Sequence, residues 1–190
     1  KPVDKVVLDG ILTMPLVLPP TVAGFFLLII FSLRRPFGHF LLDNFDFKIV
    51  QTWKGCVVAA AVIAFPLMYR NARAAFEQVD VNLIYAGQTL GMSDRKIFWK
   101  VIIPAAAPGI ASGTVLAFAR AIGEYGATSM LAGNILGKTR TVSVAIAVET
   151  AAGNYDVAGF WVVIIVLISF FIVALINIVS GRGMKSRRWI

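Results

Sequence analysis

The chain has 190 residues, 58% of them hydrophobic and 15% charged, with a mean hydropathy of +0.81. Soluble domains average about 45–50% apolar and about 25% charged residues, so a water-soluble globule of this length has too little polar surface to cover its apolar side chains. The net charge of +8 lies in short runs between apolar segments, a pattern that sets membrane topology and argues against a nucleic-acid partner.

A membrane-crossing helix needs about 20 mostly apolar residues. The first expected span runs from Gly10 to Leu33 without a charge. Pro15, Pro19 and Pro20 should kink or partly unwind its first half, because proline removes a backbone donor and crowds the preceding turn. Irregular backbone at membrane depth persists where protein or a cavity satisfies it. A transport path lined by this kink and a kink buried against another helix both fit. His39, beside Gly38, is expected to be an ordinary loop residue. The second expected span, Gly55 to Tyr69, is short, with Trp53, Lys54 and Arg70 as interfacial anchors.

The segment 71–103 follows as a loop with structure of its own. Asp80 is placed to cap a helix over 81–90, and Gly91 to end it in the left-handed conformation that glycine adopts cheaply. Ser93 is placed to cap a further helix through Ile97, Phe98 and Trp99 to Pro104. Such a helix–turn–helix knob fits a groove on a soluble partner, and equally an amphipathic hairpin lying on lipid.

The third span is expected from about Val101, past Arg120 and Glu124, towards Leu131. Arg120 and Glu124 are four residues apart and share a helical face, so they can neutralise one another. Ionisable groups at this depth also mark transport paths, and Arg120 beside a path would attract an anion. Gly109, Gly113, Gly123 and Gly126 permit close helix approach. Residues 139–152 read as a short helix packed on the bundle. The fourth span, Val157 to Ile178, lies between Asp156 and Arg182, with Trp161 a further interfacial anchor.

Basic residues orient the spans. Lys1, Lys5, Arg70, Arg73, Arg95, Lys96, Lys100, Arg182, Lys185, Arg187 and Arg188 fall on the side of the 71–103 loop, against Arg34, Arg35, Lys48, Lys54, Lys138 and Arg140 opposite. That loop is therefore expected to be cytoplasmic. One cysteine, Cys56, and one histidine make no metal, nucleophile or disulfide constellation, so no catalytic and no metal-ligating residue is expected. No GxxxxGK[ST] phosphate loop is present, so any ATP is hydrolysed on another chain.

The knob carries a resemblance. Permeases of ABC importers have a loop of the form Glu-Ala-Ala, three residues, Gly, nine residues, Ile-x-Leu-Pro. Tyr85-Ala86-Gly87, Gly91 and Val101-Ile102-Ile103-Pro104 fall at that spacing, with Tyr85 and Gly87 standing where the family has Glu and a second Ala. The stretch Met14–Gly24, with its Leu-Pro-Pro, together with Phe65–Arg70, Phe118–Thr128 and Gly133–Ile135, is similar to molybdate permeases and, less closely, to sulfate permeases. This resemblance implies an all-α integral-membrane bundle of the ABC-importer type, one permease domain over 1–190. It has four spans here and one more before Lys1.

The same resemblance implies a permease for molybdate or tungstate in the bacterial cytoplasmic membrane, with a sulfate/thiosulfate permease as the alternative. A non-ABC secondary transporter fits less well, since it has no use for the knob. The implied partners are a second permease copy, two ATP-binding cassette subunits that hold ATP and magnesium, a periplasmic or lipid-anchored oxyanion-binding protein, and membrane lipid. No cofactor is expected on this chain.

Overall fold

A computed structural model describes residues 3–185, with side chains described from 4 to 174. Of the basic residues used for orientation, Lys1, Arg187 and Arg188 lie outside the described residues, as do the side chains of Arg182 and Lys185. The described residues form helices and no strand. Three helices are long and apolar enough to cross a membrane, or four spans if one bent pair counts as a span.

The bent pair replaces the first expected span. Helix α1 (Val3–Val17) contains Pro15, and α2 (Pro20–Phe31) starts at Pro20 with Pro19 as its N-cap. The two meet at 114°, so the prolines divide the segment into two helices where a single kinked span was expected. Pro19 has no N–H to continue the α1 ladder, and proline is favoured in the first turn of a new helix.

After α2 comes α3 (Pro36–Phe45), a helix over the stretch in which His39 was expected to be a loop residue. His39 therefore sits on a helix, where its Nδ1 lies 2.5 Å from Asp43 Oδ2 on the exposed side. Helix α4 (Trp53–Glu77) is longer than the expected span of 55–69. Arg73 pairs with Glu77 at 2.8 Å, one turn away, which supports the last turns, and the 25 residues span about 37 Å at 1.5 Å per residue. That exceeds the ~30 Å hydrocarbon layer, so the charges fall at the water-facing end. The inter-span loop consequently shrinks from 71–103 to the residues between Glu77 and Asp94.

The other side of that loop is equally helical. Helix α6 (Asp94–Ile97), a π-helical turn (Phe98–Ile102) and α7 (Ile103–Ile122) join into one continuous span of 29 residues. The π turn absorbs Pro104: Ile103 N–H bonds to Phe98 O, five residues back, which opens the room that the proline ring needs. The span then stops at Ile122 and does not reach Leu131. A break over Gly123–Tyr125 precedes the short helix α8 (Gly126–Leu131). Helix α9 (Val142–Ala151) packs on α10 (Tyr155–Lys185), as expected for 139–152, and α10 outruns the expected fourth span at both ends.

The core lies where α8 wedges between α2 and α4. Ala23, Leu27, Ala59, Ile63, Ala127 and Leu131 are buried together there. Small residues let the backbones approach, as usual in membrane bundles. A Cβ on Gly109 would lie 2.5 Å from Ala75 Cβ, and one on Gly113 would lie 2.6 Å from Asn71 Cβ. The GxxxG spacing therefore marks the contact of α7 with α4. Outward-facing apolar side chains are plentiful. Phe170 is 74% exposed and Leu167 62%. In water each such side chain would forgo about 1.5–3 kcal/mol relative to burial, so this surface belongs against lipid or other membrane helices.

Candidate functional site: a docking knob and an intramembrane charge pair

The knob is built from local rules. Asp80 takes an extended conformation and its Oδ1 accepts the N–H of Asn82 at 2.9 Å, which starts α5 (Val81–Thr89). Met92 N–H closes back on Gly87 O at 3.0 Å across Gly91, whose φ is +68°. Ser93 occupies the N-cap position of α6 with an extended backbone but makes no side-chain cap bond. That expected contact is missing.

Gly87 is the buried residue of α5. A Cβ there would sit 3.0 Å from Ile97 Cγ1, so the glycine standing for the usual alanine lets α5 close on the buried Ile97 side chain. Tyr85 and Ala86 face outward. At about 100° per residue, exposed Val81 and Tyr85 fall to one side of Gly87, and exposed Leu83 and Leu90 to the other. Leu90, at the tip, is 80% exposed. Apolar residues on both flanks suit a groove that encloses the knob better than a flat lipid surface, which takes one stripe. At the base, Phe76 stacks on Phe98 with centroids 6.5 Å apart, and Phe98 meets Trp99 edge-on at 5.3 Å. These rings fasten the knob to the ends of the two spans that carry it. Pro104 lies ten residues inside the second of them, in the first turn of α7.

Arg120 and Glu124 do meet, though not as two residues of one helix. Arg120 lies in the last turn of α7 and Glu124 in the break after it. Arg120 Nη1 lies 2.8 Å from Glu124 Oε2, with the arginine side chain 33% exposed and the glutamate 1%. The other oxygen, Oε1, accepts Ala127 N–H at 2.7 Å and so starts α8. Oε2 is buried with no aligned hydrogen bond, so its contact with Arg120 is a charge pair rather than a directed bond. Glu124 is thus fixed in the core, while the guanidinium it holds reaches a partly open surface. Nearby, Pro20 Cβ would be 3.0 Å from a Cβ on Gly126, which puts the Pro19–Pro20 break against the start of α8. Pro15 is set apart from that junction, on α1 beside Phe65 of α4.

A further cluster went unnoticed in the sequence. Asp9 on α1 receives hydrogen bonds from Tyr69 Oη and Arg73 Nη1 on α4. Asp9 sits one residue before the uncharged run that begins at Gly10, where a flanking charge is ordinary. The signal was there in the spacing of Tyr69, Arg73 and Glu77, every fourth residue at the end of an apolar helix. Among the described residues no group of three His, Cys, Asp or Glu side chains is placed to hold a metal ion.

The chain is similar to known transport proteins. The family model for the binding-protein-dependent transport system inner membrane component matches residues 2–183. The molybdenum transport system permease protein ModB of Escherichia coli strain K12 is 44% identical over 86% of this chain and 72% of its own length. ModB of Haemophilus influenzae is 40% identical over 74% of this chain and 62% of its own. The sulfate transport system permease protein CysT of Salmonella typhimurium is 34% identical over 94% and 64%.

Proposed function

The chain belongs to the binding-protein-dependent transport system inner membrane component family, and from that premise we propose that it is the permease subunit of an ATP-driven importer for molybdate or tungstate. The knob from Asp80 to Trp99 carries the transport reading. Its position between two spans, its apolar flanks and its ring-stacked base suit a part that is gripped and moved by another subunit. The identity to the molybdenum permeases of Escherichia coli and Haemophilus influenzae, 44% and 40% against 34% for the sulfate permease of Salmonella typhimurium, supports the substrate.

In this reading two copies of the chain enclose the path, and each knob docks in a groove of a separate ATPase subunit, which binds the nucleotide and magnesium. Closure of the ATPases pushes on α5. The spans fastened to it then shift between two packings, inward-open and outward-open, and ATP stabilises one over the other. An external binding protein delivers the oxyanion. Arg120 provides a positive charge at the margin of the bundle, and Glu124 keeps it oriented and partly neutralised. A partly neutralised arginine attracts a dianion without trapping it, which suits a path whose selectivity lies in the binding protein. The α1–α2 break at Pro19–Pro20 supplies irregular backbone beside that path.

Competition for uptake tests the substrate. In vesicles holding the full-length permease, its ATPase and its binding protein, excess tungstate should suppress molybdate uptake and excess sulfate should leave most of it. Equal suppression by sulfate would move the substrate to sulfate and leave the architecture standing.

A further inference from the structure

Helix α1 is held to the rest of the chain in an unusual way. The 114° bend separates it from α2, and its main packing partner is α4. The polar tie between α1 and α4 is the cluster in which Tyr69 Oη and Arg73 Nη1 both donate to the Asp9 carboxylate. Only Gln78, Val79 and Asp80 separate the end of α4 from the docking helix α5. The Phe76–Phe98 stack and the glycine contacts of α7 on Ala75 and Asn71 bind α4, α7 and the knob into one body. Asp9 therefore grips that body within two helical turns of the knob.

The chemistry of the grip suits a link that opens and closes. Arg73 also holds Glu77 through Nε at 2.8 Å, so parting from Asp9 leaves the guanidinium paired. Asp9 borders a cavity of about 360 Å³ that also contains Thr13 and a second arginine, Arg70, one turn from Arg73. After release the carboxylate still faces that open cavity, whose wall carries the positive charge of Arg70. A buried ion pair without such substitutes would strand a charge on opening, at a cost of several kcal/mol. Both Asp9 and Arg73 are one-third exposed, which keeps the pair weak enough to exchange.

We propose that Asp9, Tyr69 and Arg73 are positioning residues that transmit movement of the docking knob to α1, as a releasable latch at the knob end of the bundle. The inference rests on the importer reading above, and its test separates the two. In the complete complex, the ratio of molybdate transported to ATP hydrolysed is measured for wild type, Asp9→Asn, Arg73→Gln and the double variant. The ratio is expected to fall at least threefold in each single variant and no further in the double, because both cut one link. Tyr69→Phe, which keeps the ring stacked on Phe65 and loses only the hydroxyl, should give a smaller fall. An unchanged ratio in Asp9→Asn overturns the proposal, as does a double variant whose loss is the product of the singles.

A second measurement needs no substrate. Spin labels at Lys5→Cys and Gln78→Cys, in a Cys56→Ser background, report the α1–α4 distance in the assembled complex. The distribution should be narrow in the wild-type cluster and broad in Asp9→Asn, and identical distributions would refute the latch. Absence of ATP-driven uptake in wild type would sink the importer reading instead, while the label distances still decide whether the latch exists.

Discussion

Gly109 and Gly113 show how much of this bundle depends on the absence of single atoms. Each faces a backbone or Cβ of α4 at a distance no Cβ tolerates, 2.5 Å at Ala75 and 2.6 Å at Asn71. Relief would require moving one helix away from the other, since Ala75 has no flexible end to swing aside. Gly109→Val should therefore destabilise the detergent-solubilised protein by about 1–3 kcal/mol, the usual cost of overpacking. Gly159→Val, at a position on α10 with no atom within 4 Å, should change the same unfolding midpoint little. Equal effects at the two positions would mean that the α4–α7 contact does not set stability. At this scale the sequence was readable where spacing alone decides the outcome, as in the GxxxG pair. It misled where a residue has two uses. Glu124 pairs with Arg120 as their spacing suggests, yet its second oxygen also accepts Ala127 N–H in the first turn of α8, a use the spacing does not show.

Among the elements, the knob was the most legible, because Asp80 and Gly91 each obey a local rule that tertiary packing does not contest. Gly91 needs its positive φ to let the chain reverse between α5 and α6. A β-branched residue in that conformation costs roughly 1–2 kcal/mol or more, whereas asparagine tolerates it. Gly91→Val should open the turn and reduce recovery of the ATPase with the permease in detergent several-fold, and Gly91→Asn should retain most of it. Full recovery with valine would show that docking does not need this turn. Less legible was the end of α4. The second expected span ends where hydrophobicity fades, at Tyr69, but α4 continues for about two turns beyond it, to Glu77. Charges are harmless at a water-facing helix end, so apolarity marks the membrane and not the helix. The prolines announced a kink between α1 and α2 but not its size, since the apolar run continues unbroken from Gly10 to Leu33 while the backbone turns by 114°.

At the scale of the molecule, composition and hydropathy point to the class, an α-helical membrane bundle, because apolar runs of about 20 residues match spanning helices, which satisfy their backbone within the segment. The arrangement of the bundle is what gives the knob a use. Its base is locked to α4 and α7, α4 carries the grip on α1, and the start of α8 joins the proline break to the Arg120–Glu124 pair. A push on α5 thus has a short, packed route to every part of the chain that is unusual for a membrane helix. ATP dependence of uptake in reconstituted vesicles tests this account most directly. With the binding protein outside and the ATPases facing the lumen, molybdate should accumulate when ATP is enclosed. It should not accumulate with a non-hydrolysable analogue, and dissipating the proton and sodium gradients should not abolish it. Accumulation that follows an ion gradient without ATP would contradict the account and make the chain a secondary transporter.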